Sequence, residues 1–175
     1  LSDAHVLQFD ILINCIVEPT LRRFLSDVFS DRDFVMGYFN APIDSLGYAN
    51  NPEGPLGAAL KAISHYWYAP GLTDNQRQLG AIALLFTEPG LAWVSNGGQK
   101  IAAFDVRPQF PFWAVRYLKR VQPRWWQILL TLWAEQSDQP IARESYVSPV
   151  MKAAYHLAIA HARTVYSLSG VSEYC

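Results

Sequence analysis

The sequence predicts an all-α fold. Three observations carry this. Apolar residues recur at helical spacing through most of the 175-residue chain. Helix-start signals stand directly ahead of several apolar runs. Only one short stretch, 92–104, has the pattern of a β-hairpin. The expectation is one domain over residues 1–175, with about seven helices and that single hairpin. Hydrophobic residues make up 51% of the chain, enough for a proper core and too many for a disordered one.

The elements follow in order. Val6, Phe9, Ile13, Ile16 and Val17 can line one side of a first helix, stopped by Pro19. Leu21, Phe24, Leu25, Val28 and Phe29 fall at i, i+3, i+4, i+7 and i+8, an amphipathic helix. Asp31 can cap a short helix carrying Phe34, Val35, Tyr38 and Phe39. Residues 40–55, rich in Gly, Pro and Asn, read as a loop. A helix over 56–68 places Leu56, Leu60, Ile63 and Trp67 on one stripe, and Ala69-Pro70-Gly71 breaks it.

Thr73-Asp74-Asn75-Gln76 has the form of a capping box. The helix it starts carries Leu79, Ile82, Ala83 and Phe86, and Pro89-Gly90 is expected to end it. Trp93, Val94 and Ile101 flank Asn96-Gly97-Gly98, which gives the hairpin its turn. Residues 112–121 and 125–135 read as two helices separated by Pro123, and 137–145 as a polar loop. Ser148-Pro149 supplies an N-cap and an N1 proline for a last helix reaching about Ser167.

The formal charge of −1 gives no strong overall attraction to nucleic acid or anionic membrane. The two cysteines, Cys15 and Cys175, have no disulfide or zinc spacing, so a reducing cytoplasm is the expected compartment. The longest apolar run, 6–17, is too short and too polar to span a bilayer. No basic leader with a cleavage site is present, so no secretory signal and no membrane partner are expected.

Two helices precede Phe39-Asn40-Ala41-Pro42. A loop, Glu53-Gly54-Pro55-Leu56, a helix and Ala83-Leu84-Leu85-Phe86-Thr87-Glu88-Pro89-Gly90 follow. This order resembles the HD-domain superfamily of metal-dependent phosphohydrolases. It is most similar to the HD domain of relaxases from conjugative and integrative elements and to HD-type 3′–5′ exoribonucleases. In those families F-x-x-A-P-A leads through a His-His loop into G-G-L-L-x-H-[ST]-L, and A-L-L-H-D-[IL]-G-K comes later. The resemblance covers residues 21–106, and the phrase Leu25-Ser26-Asp27-Val28-Phe29-Ser30-Asp31-Arg32-Asp33-Phe34 looks like the D-P-x-F lead-in.

The resemblance fails at the ligands. Tyr48-Ala49-Asn50-Asn51 occupies the His-His loop, and Glu53-Gly54 stands for Gly-Gly. Ala58 takes the slot of a ligand His, Phe86-Thr87 replaces His-Asp, and Pro89-Gly90 replaces Gly-Lys. A later Asp ligand has no counterpart, although Arg143 and Glu144 lie near its place. HD enzymes use imidazole and carboxylate to hold divalent metals that activate water. Methyl and phenyl groups donate no lone pair, and a Thr hydroxyl is a weak substitute for carboxylate. The resemblance therefore implies a degenerate HD domain with no catalytic residue, metal or cofactor. It would act as a structural or protein-interaction module within a longer relaxase-like protein of a mobile element, with a protein partner or a second copy of itself.

Two further readings stay open. His65 lies seven residues after Ala58, so it can share that helix face as a relocated ligand of a divergent phosphohydrolase; the plainer reading is a surface histidine. His156 and His161 are five apart and splay by about 140° on a helix, a poor chelating pair. The second reading concerns residues 107–124. Arg107, Arg116, Lys119, Arg120 and Arg124 interleave there with Trp113 and other aromatics, the ingredients of a single-stranded DNA or RNA site. The same spacing also fits ordinary amphipathic helices with aromatics inward and arginines outward. No nucleophile elbow or phosphate-binding loop is present.

Overall fold

The computed structural model describes residues 3–32, 54–86, 121–136 and 147–172. They form α1 (Asp3–Cys15), α2 (Pro19–Phe29), α3 (Gly54–Trp67), α4 (Asp74–Leu85), α5 (Pro123–Gln136) and α6 (Pro149–Ser172), with no strand among the described residues. The expected all-α class holds for them. The hairpin at 92–104, the short helix around Phe34 and the helix at 112–121 fall outside the described residues.

The first connection differs from the expectation at Pro19. α1 ends at Cys15, four residues before the proline, where the Ile16 N–H donates to the Ile13 carbonyl at 3.3 Å. Pro19 instead opens α2, where its missing N–H costs nothing because that group would have no helical partner. Glu18 caps α2. Its Oε2 accepts from the Leu21 N–H at 2.7 Å and from the Thr20 hydroxyl at 2.7 Å. The inward stripe of α1 is also set differently. Leu12 and Ile16 are buried, while Val17, expected on the apolar side, is 66% exposed.

α2 follows its sequence pattern, burying Leu21, Phe24, Leu25 and Val28. Fully burying a side chain of this size stabilises the fold by about 1.5–3 kcal/mol. α3 buries Leu60 and Ile63 as expected, and also Tyr66, which the proposed stripe omits. It does so because neighbours meet it on several sides: α3 packs against α1, α4 and α6. Gly71, with φ +81°, supplies the left-handed residue in the turn between α3 and α4.

α4 is the central element. Every residue from 78 to 86 is buried, and α4 packs against α3, α5 and α6. Its capping box forms in full. Thr73 Oγ1 accepts from the Gln76 N–H at 3.2 Å, and Gln76 Oε1 accepts from the Thr73 N–H at 3.0 Å. Gln76 also ties the start of α6 to the start of α4. Its Nε2 donates to Ser148 Oγ at 3.1 Å, and that hydroxyl accepts from the Met151 N–H at 3.3 Å. The Ser148-Pro149 start signal is thus realised. α6 continues to Ser172, past the expected end.

The α3–α4 contact depends on Gly80. A Cβ there would overlap Cζ, the hydroxyl oxygen and Cε1 of Tyr66, all inside the 3.0 Å that real Cβ atoms essentially never cross. The Tyr66 hydroxyl donates to the Gln76 carbonyl at 2.6 Å, so its ring is pinned across the α4 backbone.

Candidate functional site

The resemblance directs attention to Ala58, Phe86 and Thr87. The capping box fixes where α4 starts, and the run Ala83-Leu84-Leu85 then delivers Phe86 to the end of the helix. Phe86 is the C-cap residue, its N–H donating to the Ala83 carbonyl at 3.2 Å. Its side chain is fully buried. The Phe24 ring meets it edge-on, with centroids 5.7 Å apart and planes at 68°. The Phe29 ring lies 6.0 Å away, tilted by 33°. Phe86 therefore joins the end of α4 to α2 through an aromatic cluster, and its edge-on contact with Phe24 is an arrangement that the ring quadrupole favours.

The other two slots are less informative. Ala58 lies on the α3 backbone between the buried residues Gly57 and Ala59. Thr87 falls outside the described residues, as do Tyr48, Glu53, Arg143 and Glu144. The structure therefore describes the side chain of one of the three slots.

The basic-aromatic stretch is mostly outside the described residues as well: Arg107, Trp113, Arg116, Lys119 and Arg120 are among those not described. Arg124 lies in the first turn of α5, exposed, with its guanidinium carbon 5.9 Å from the Trp125 ring centroid. Trp125 itself is buried. At this one pair the aromatic faces the core and the cation faces water.

Polar chemistry in the described core rests on few groups. Gln78 and Thr131 are the buried polar residues among those described. Thr131 Oγ1 donates to the Gln127 carbonyl at 2.8 Å, a bond within its own helix. Gln78 has a longer reach. Its Oε1 accepts from the Val17 and Glu18 N–H groups, each at 3.0 Å, and so ties the α1–α2 connection to the centre of α4. Burial holds the Tyr66 hydroxyl above the ordinary tyrosine range, and the Arg77 charge lowers it in part.

His65 and His161 are brought together by the fold. They sit on α3 and α6, both exposed, with rings stacked 4.4 Å apart at 12°. His156 lies on α6 beside the Tyr155 ring, at 5.8 Å. No group of three or more His, Cys, Asp or Glu suited to a metal occurs among the described residues. No described helix is long and apolar enough to cross a membrane.

No family model matches the chain, and no curated protein or solved structure matches it.

Sequence reasoning missed two features of this region. The bridge from Gln78 had no distinguishing local signal, because Gln78 only ends the polar run Asp74-Asn75-Gln76-Arg77-Gln78. The His65–His161 pair had none, because its partners belong to helices far apart in the chain.

Proposed function

We propose that this chain is a catalytically inactive HD-like helical domain serving as a structural or protein-interaction module within a mobile-element protein. Its full complement would be about seven helices with a hairpin at 92–104. The observation that carries the reading is Phe86. In the position where the resembling families place a ligand His, this chain has a fully buried phenyl ring set against Phe24 and Phe29. Such a ring offers hydrocarbon and no lone pair. Its burial supports exchange of metal chemistry for core packing.

The interaction role draws support from exposed apolar side chains. Tyr68 is 84% exposed at the end of α3, and Leu157 is 62% exposed on α6. Val150, half-exposed, lies two turns before Leu157 on the same side of α6.

The test is phosphodiesterase activity assayed with Mn2+, Fe2+ and Ni2+, on model phosphodiesters and on single-stranded DNA and RNA, with and without chelator. The expected result is no turnover above the buffer blank with any metal. Turnover that is abolished by chelation, from protein holding stoichiometric Mn, Fe or Ni, would overturn the proposal. Metal content without turnover leaves it standing.

A further inference from the structure

We propose that His65 and His161 form a cross-helix site for a divalent late first-row transition ion, with Ni2+, Zn2+ and Cu2+ as the class it takes. The two imidazoles come from α3 and α6, which pack against each other, and their rings lie 4.4 Å apart at 12°. Both side chains are exposed. No hydrogen bond or ion pair among the described residues engages either ring.

Stacked rings do not chelate as they stand. Nitrogen lone pairs lie in the ring planes, and nearly parallel planes do not converge on one point. The torsion that turns an imidazole is broad and soft, however, and both rings are open to solvent. Turning them toward each other lets one nitrogen from each approach a shared ion at the usual ~2.0–2.1 Å. The helices already supply the costly part, which is holding the two donors side by side.

The donor chemistry selects the ion. Imidazole suits zinc, copper and nickel, whereas Mg2+ and Ca2+ require oxygen ligands. Two nitrogens with water in the remaining positions make a moderate-affinity strap between α3 and α6, not a closed structural site. This site is separate from the slots at Ala58, Phe86 and Thr87, and it does not rest on the HD-like reading.

The test is calorimetric titration of Ni2+ and Zn2+ into the full chain without an affinity tag, in a non-chelating buffer. One equivalent should bind, with no response to Mg2+. His65→Ala and His161→Ala should each weaken binding at least about tenfold, equal to about 1.4 kcal/mol. The double variant should be little worse than either single one, because a chelate is lost once. His156→Ala should bind like the parent. Circular dichroism of each variant confirms that the helices persist. Absence of Ni2+ binding at millimolar concentration would overturn the site, as would binding that survives either single substitution or fails equally in His156→Ala.

Discussion

Gly80→Ala sets two physical effects against each other. In a helix interior, alanine is favoured over glycine by about 1 kcal/mol. From helix propensity alone, the substitution should stabilise α4. Packing points the other way. The new methyl would overlap three atoms of Tyr66, each inside 3.0 Å, and that ring is fully buried. It cannot step aside freely, because its hydroxyl is anchored on the Gln76 carbonyl at 2.6 Å. Relief requires an off-rotamer Tyr66 or a wider α3–α4 spacing. Such overpacking costs about 1–3 kcal/mol, and loss of the hydroxyl bond adds about 1 kcal/mol. The propensity gain offsets roughly 1 kcal/mol of this, leaving a net loss of about 1–3 kcal/mol. Urea unfolding should show a lower midpoint with an unchanged slope. Tyr66→Leu removes all three overlapping atoms, so Gly80→Ala in that background should become neutral or stabilising, a large coupling in a double-mutant cycle. A Gly80→Ala protein as stable as the parent, or more so, would refute the close approach.

Two other outcomes are expected. Gln78→Leu removes the acceptor shared by the Val17 and Glu18 N–H groups and should cost about 2–3 kcal/mol in urea unfolding, with faster amide exchange at those residues; Gln78→Glu keeps an acceptor and should lose less. At alkaline pH, burial keeps Tyr66 protonated in the fold while the unfolded chain ionises near pH 10, so the unfolded state binds fewer protons. Stability should therefore fall above pH 10, by up to about 1.4 kcal/mol per pH unit from this residue, and Tyr66→Phe should show a shallower decline.

The fold was legible in the sequence wherever its determinants were local. The buried face of α2 is written in the spacing of Leu21, Phe24, Leu25 and Val28. The Thr73 box and the Ser148-Pro149 start each need only neighbours three residues away. Boundaries were less clear, because one residue can serve two ends. Pro19 is incompatible with the interior of a helix and well suited to the first turn of the next, and only tertiary placement decides which role it takes. Burial was underestimated where helices meet on several sides. A stripe of Leu60, Ile63 and Trp67 describes a helix with one partner, whereas α3 packs against at least three of the described helices, and Tyr66 is buried with them. Gln78 and the His65–His161 pair are long-range contacts with no local periodicity to announce them.

The candidate site has a different logic. On the HD-like reading, sequence spacing proposes which residues occupy the ligand slots, but not whether an apolar residue there faces a cavity or fills one. For Phe86 the answer lies in α2. Its ring is fully buried and set against Phe24 and Phe29, one on the inward stripe and one at the edge of the same amphipathic helix. On the HD-like reading, the change at this slot is then not confined to the slot. An imidazole at position 86 would have to leave water and lie among phenyl rings, at a cost that an unpaired buried polar group incurs unless a partner is supplied. Recovering a metal ligand there would require polar replacements on α2 together with His at 86 and donors at the other slots. On that reading, a loss of chemistry would be secured by packing across two helices, through the same ring contacts that join the end of α4 to α2.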